Sequence, residues 1–192
     1  MRQNLRIAVL MTLLTTVLFG LLYPLAVTGL GQLFFPSQAN GELIKKNAQI
    51  VGSRLIGQPF SSDLYFHPRP SAAGNGYDPV AGSGGASNLG PTNRQLLDRV
   101  KGDVEKLHAE NPHVPIPVDL VTTSGSGLDP DISPAAAEFQ IPRVRTARHV
   151  TEKQIQALVA KHTLGRQFGI FGEPRVNVLE LNLDLDATYP KP

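Results

Sequence analysis

From Arg6 to Glu42 the chain runs thirty-five residues without a charge, and the first two thirds of that run read IAVLMTLLTTVLFGLLYPLAVTGL. About twenty apolar residues suffice to cross a bilayer, because a helix satisfies its own backbone hydrogen bonds where water is absent. The pattern predicts a short tail over residues 1–6 and a transmembrane anchor helix over 7–35. Beyond it the polarity changes character several times. QIVGSRLIGQPF, residues 49–60, predicts a short strand with a glycine turn, and Leu64, Tyr65 and Phe66 a second brief strand. Over residues 67–93, sixteen of twenty-seven positions are Gly, Pro, Ser or Asn, which predicts a long loop. Ordering such a stretch costs about 1–2 kcal/mol per residue in backbone entropy, so contacts must offset it.

Leu96, Leu97, Val100, Val104 and Leu107 form one stripe of a helix predicted from about Thr92 to Ala109, ended by Asn111-Pro112. Ser133-Pro134 supplies a cap and a first-turn proline for another helix, which Pro142 is expected to break. Thr151 with Gln154 makes a capping box for a helix through His162, with Ile155, Leu158 and Val159 on its buried side. Apolar and polar residues alternate from Leu179 to Asp186, the pattern of a strand whose inner face is Leu179, Leu181, Leu183 and Leu185. The expected class is α+β, with one N-terminal transmembrane helix followed by a single mixed α/β domain over 36–192.

A cleavable signal peptide is the competing reading of the apolar run. Against it, the run continues through Leu30, Leu33, Phe34 and Phe35, and no clean small-x-small site closes it. The chain has no cysteine, which removes a lipoprotein anchor, disulfides, thiol nucleophiles and thiolate metal sites. Pro24 removes one backbone donor inside the span, and Gly29 with Gly31 permits close approach of another helix, so Pro24 and Gly29 are candidates for a partner interface.

Charge adds orientation and excludes one partner class. Arg2 and Arg6 precede the span; Lys45, Lys46 and Arg54 follow it, offset by Glu42, so the count of basic residues is nearly tied. A short basic tail stays in the cytoplasm while a long C-terminal domain is translocated largely regardless of charge, which favours an N-terminus inside and a domain outside. Setting aside Arg2 and Arg6 leaves sixteen basic against sixteen acidic side chains, so the concentrated basic face of a nucleic-acid binder is not expected.

Most enzyme signatures are missing: no Gly-Lys-Ser/Thr phosphate loop, no His-Glu-x-x-His, no Gly-x-Gly-x-x-Gly from strand to helix. Neither the Asp-Lys-Thr-Gly motif of P-type pumps nor a Thr-Val-Gly-Tyr-Gly filter is present. What remains is Ser124, Gly125, Ser126 and Gly127, with Asp129 and the helix start at Ser133 close behind. A glycine turn ahead of a helix can cradle an anion on consecutive N–H groups. Here no lysine meets phosphate charge and Asp129 and Asp131 repel it, so a structural turn is the simpler reading. Gly-x-Ser-x-Gly is not satisfied around Ser126. Glu180, Asp184 and Asp186 suggest either cation concentration at a pore mouth or a solvated polar face, the simpler of the two. The five histidines show no metal-ligand spacing.

Several longer motifs then converge. Val51-Gly52-Ser53-Arg54-Leu55-Ile56-Gly57-Gln58, Tyr65-Phe66-His67-Pro68-Arg69-Pro70-Ser71-Ala72 and Ser87-Asn88-Leu89-Gly90-Pro91-Thr92-Asn93 resemble the C subunit of the Kdp potassium-transporting P-type ATPase. Pro117-Val118-Asp119-Leu120-Val121-Thr122, Ser124 to Pro130, Ile132-Ser133-Pro134 and Pro174-Arg175-Val176-Asn177-Val178-Leu179 extend the resemblance over nearly the whole chain. Two positions depart from it: Asp131, where histidine is expected, and Ile141-Pro142, inside what is usually an uninterrupted helical stretch. The resemblance implies a non-catalytic subunit of an inner-membrane complex that imports potassium at the expense of ATP. Its partners would be the pore-like A subunit, the ATP-hydrolysing B subunit and the small F subunit. It also implies a catalytic chaperone that raises the B subunit's affinity for ATP, with ATP and potassium bound at the level of the complex. A direct nucleotide contact through Ser124 to Gly127 is the alternative, a membrane-anchored periplasmic hydrolase has less residue support, and Asn88, Leu89 and Gly90 join the partner-interface candidates.

Overall fold

The computed structural model describes residues 1–78 and 85–191 and divides them into two compact units, Met1–Val51 and Gly52–Pro192. The first unit is dominated by a continuous helical rod, Arg2–Phe34, whose 33 residues are long and apolar enough to cross a membrane. At 1.5 Å per residue it is about 50 Å long, more than the hydrocarbon core requires. It is composed of α1 (Arg2–Thr15), a π-helical stretch (Thr16–Leu22) and α2 (Tyr23–Phe34). Pro24 accounts for the irregularity: it has no N–H to give the carbonyl of Gly20, and its ring crowds that carbonyl, so the preceding turn widens to i→i−5 bonding. The Tyr23 N–H accordingly reaches the Leu18 carbonyl. A single turn, α3 (Pro36–Ala39), and the hairpin strands β1 (Leu43–Lys46) and β2 (Gln49–Ser53) follow.

The second unit carries α4 (Arg94–Glu110), a 3₁₀ turn (Val118–Leu120), β3 (Asp131–Ile132), α5 (Pro134–Arg148), α6 (Glu152–His162), β4 (Thr163–Leu164), β5 (Arg175–Asn177) and α7 (Val178–Thr188). The short strands form one antiparallel sheet in the order β3-β5-β4, with Ile132 and Thr163 both opposite Val176. Phe139, Val144, Ile155, Leu158, Val176, Leu181 and Leu185 meet in one core between that sheet and α5, α6 and α7. The stripe of α4 is only half-covered, with Leu97 and Val104 exposed.

The helix starts behave as their caps dictate. Ser133 Oγ accepts from the Ala136 N–H at 3.0 Å, and both halves of the Thr151–Gln154 capping box are made. Three expectations are corrected. Pro142 does not end α5, because Phe139, Gln140, Ile141, Val144 and Arg148 around it are buried; that burial outweighs a proline penalty of about 3 kcal/mol. Residues 64–66 form a turn and an extended step rather than a strand. The alternating segment 179–186 is helix α7, not a strand. Its residues Val178, Leu181, Asn182 and Leu185 also satisfy helical spacing, and the side chain of Asn177 caps it by accepting from the Glu180 N–H at 3.1 Å. Leucine lacks the β-branch that would have favoured the strand.

Candidate functional site

Ser124 to Asp129 connect the 3₁₀ turn to β3 and supply their own caps. Ser124 Oγ accepts from the Gly127 N–H (2.9 Å), Ser126 Oγ from the Leu128 N–H (3.1 Å), and Asp129 Oδ1 from the Asp131 N–H (3.1 Å). These are local Ser and Asx turns, the usual reason such residues choose loops over helices. Two of the N–H groups that an anion would require are therefore already engaged.

The Gly/Pro-rich loop lies directly against this turn. Ser71 Oγ donates to the Gly127 carbonyl (2.6 Å) and accepts from the N–H groups of Ala73 (3.1 Å) and Tyr77 (2.9 Å). The Tyr77 hydroxyl donates to the Arg69 carbonyl at 2.6 Å, and burial pushes its pKa up. The Gly57 N–H donates to the Leu128 carbonyl at 2.8 Å. Gly127 has φ +67° and faces the backbone of Gly85 so closely that a side chain at either position would strike the other segment. Residues 79–84 of the loop lie outside the described residues. The loop is thus an ordered layer over the turn where it is described, and hydrogen bonds of this kind are what offset its entropy.

A cleft of about 590 Å³ opens beside the start of α5. Its charged lining is Arg69, Asp119, Asp129, Asp131, Glu173 and Arg175. Arg69 pairs with Asp129 at 2.9 Å and Arg175 with Asp131 at 3.1 Å, while Asp119 accepts from the Ser133 N–H at 2.8 Å. Burial, reinforced by the nearby Asp129 charge, raises the Asp131 carboxyl above its ordinary range. Four acids against two bases give a phosphate no net attraction here. Among the described residues, no three His, Asp or Glu side chains converge as ligands for a metal ion.

The acidic residues of the C-terminal segment are paired rather than solvated. Glu180 bonds Arg54, Asp184 bonds Lys161 (2.6 Å) and His162 (2.7 Å), and Asp186 bonds Arg148 (2.7 Å). Turning the segment into a helix brings these carboxylates to bases on other elements, which a period-two reading misses. Pro24 and Gly29 are exposed on the helical rod, and beyond its own stretch of helix nothing among the described residues comes within 4 Å of a Cβ placed on Gly29. Asn88, at φ +52°, and Gly90 are exposed, with Leu89 half-buried between them. Arg69, Ser71 and Tyr77 are members of the site that were not singled out from the sequence: Arg69 and Ser71 pair with Asp129 and Gly127 more than fifty residues away, and Tyr77 locks the loop locally onto Arg69 and Ser71.

The described residues combine a 33-residue apolar helix, long enough to cross a membrane, with a mixed unit of helices and a small sheet whose buried Arg148 is paired internally. Comparison with known proteins gives the family. The chain belongs to the family described as KdpC: K+-transporting ATPase, c chain, whose model matches residues 5–187. It is 60% identical over 192 residues to the potassium-transporting ATPase KdpC subunit of Koribacter versatilis strain Ellin345, covering 100% of this chain and 98% of the relative. The KdpC subunit of Methylobacterium nodulans is 54% identical over 202 residues, with 100% of both chains covered. That of Caulobacter vibrioides strain NA1000 / CB15N is 58% identical over 191 residues, covering 99% of this chain and 96% of the relative.

Proposed function

We propose that this chain is the accessory subunit of an ATP-driven potassium importer of the inner membrane. It supports assembly and couples its partners, a potassium-translocating A subunit, an ATP-hydrolysing B subunit and an F subunit. Residues 1–6 lie in the cytoplasm, the apolar rod crosses the membrane, and the α+β domain stands outside. The observation that carries the reading is the full-length family match on a chain whose N-terminal rod has no buried residue of its own.

Under this topology the chain acts as a catalytic chaperone without touching ATP, so its effect on the B subunit's ATP affinity passes through membrane helices or the A subunit. The engaged N–H groups of Gly127 and Leu128 and the surplus of carboxylates in the adjoining cleft favour this over direct nucleotide contact at Ser124 to Gly127. The test is to purify the complex through a tag on the B subunit, with and without this chain, and measure ATPase activity against ATP concentration. Omission is expected to raise the ATP concentration needed for half-maximal activity and to abolish potassium-stimulated turnover. Identical curves would overturn the proposal.

A further inference from the structure

Between β4 and β5 the chain projects a narrow hairpin whose tip is Gln167-Phe168-Gly169-Ile170. The bridge beneath the tip is complete: the Gln167 N–H donates to the Phe171 carbonyl and the Phe171 N–H to the Gln167 carbonyl, both at 2.9 Å. Phe168 at φ +53° and Gly169 at φ +73° form the two central residues of the turn, closed by the Ile170 N–H on the Gln167 carbonyl at 3.1 Å. Across the neck, Arg166 holds both carboxylate oxygens of Glu173, at 2.8 and 2.6 Å.

The tip is costly for an isolated domain. A left-handed turn of this type favours Asn or Gly at its first position, and a bulky aromatic there is strained. Phe168 is nevertheless 91% exposed, with Ile170 71% and Phe171 63% exposed beside it. Among the described residues, none covers these three side chains. Local strain combined with an apolar cluster of this kind marks a docking element.

The geometry points to this tip as a plug for an apolar socket on another subunit of the same transport assembly. A lipid surface fits less well, because interfacial loops combine apolar residues with free basic side chains or with Trp and Tyr. Here Arg166 is paired with Glu173, Arg175 with Asp131 and Lys161 with Asp184, and the segment from Thr163 to Asn177 has neither Trp nor Tyr. A hairpin already fixed in shape loses little freedom on docking, which suits a shaped protein pocket more than a fluid bilayer.

The inference rests on the proposed function, and the test separates the two. In the complex co-expressed from all its subunits, a photoreactive benzoyl-phenylalanine replacing Phe168 is irradiated and the products are identified by mass. In parallel, the chain carrying Phe168→Asp with Phe171→Asp is captured through a tag on the ATP-hydrolysing subunit. A cross-link to another ATPase subunit is expected, with recovery of the double variant reduced on the order of thirtyfold, as for loss of an aromatic hot spot. Cross-links only to lipid or to a second copy of this chain, or unchanged recovery of the variant, would overturn the plug while leaving the proposed function standing. A wild-type chain that fails to co-purify at all removes both.

Discussion

The side-chain amide of Asn182 grips the backbone of Phe66 from both sides. Its Oδ1 accepts from the Phe66 N–H at 2.9 Å and its Nδ2 donates to the Phe66 carbonyl at 2.9 Å. One residue on, Gln140 treats His67 in the same way, accepting from its N–H at 2.7 Å and donating to its carbonyl at 3.1 Å. Two buried amides, one on α7 and one on α5, thus stand in for the neighbouring strand that this extended step lacks. Asn182→Leu fits the space but leaves both Phe66 groups unpaired, at about 1–3 kcal/mol each. The guanidinium midpoint of the full-length chain in detergent is expected to fall by the equivalent of about 2–6 kcal/mol. An unchanged midpoint would mean that water reaches Phe66.

Arg148 is buried at the end of α5 and ties three elements together. Its guanidinium donates to the carbonyls of Leu64 (2.8 Å) and Tyr189 (2.9 Å) and to Asp186 (2.7 Å). Arg148→Leu strands the Asp186 carboxylate and is expected to destabilise by about 3–5 kcal/mol. Adding Asp186→Leu is expected to restore part of the loss, measured as a double-mutant cycle on the same midpoint. Strict additivity would contradict the pairing.

Asp184 makes acid stability depend on one pair of bases. Hydrogen bonds from Lys161 and then His162 hold its carboxyl at about 2, below an unfolded value of about 3.9. A depressed carboxyl stabilises the fold above its unfolded pKa, and that contribution disappears as the pH falls from about 4 toward 2. Titrating stability over this window should show a steeper loss for wild type than for Asp184→Asn. Parallel curves would remove the assignment.

His67 titrates with the opposite charge and in a different window. Burial, followed by the neighbouring Arg143 charge, lowers its pKa below the ordinary 6.5. The folded chain therefore binds the proton less readily than the unfolded one, and stability falls as the pH drops below about 6.5. His67→Gln should flatten stability between pH 7 and 5; retention of the slope would point to another group.

Gly127 reports whether the Gly/Pro loop seats on the turn. Gly127→Ala forces a Cβ into the Gly85 backbone at a left-handed φ and is expected to cost more than about 1 kcal/mol. Limited proteolysis between residues 72 and 90 should accelerate in that variant. Equal cleavage rates would show that the loop does not depend on the contact.

Local signals suffice where a single physical cause acts within a few residues: the long apolar helix, the Ser133-Pro134 start and the Thr151–Gln154 box need only neighbours in sequence. The segment 179–186 misled because alternating leucines satisfy period two and, with Val178 and Asn182, also a helical stripe; propensity and the Asn177 cap decided the outcome. Pro142 misled because tertiary burial outweighs a local penalty. In the site, Ser124 to Asp129 are visible as a glycine turn, but Ser71 and Gly57 are not, since nothing local announces a contact made across fifty or more residues.

The proposed function requires an anchored domain that stands outside the cytoplasm. The chain contains no cysteine, so Lys153→Cys, at an exposed position on α6, gives a unique label site, and Gln3→Cys gives its counterpart in the tail. Each variant is reacted with a membrane-impermeant maleimide in right-side-out and in inverted vesicles. The account predicts that position 153 labels only in right-side-out vesicles and position 3 only in inverted ones; the reverse pattern would contradict it.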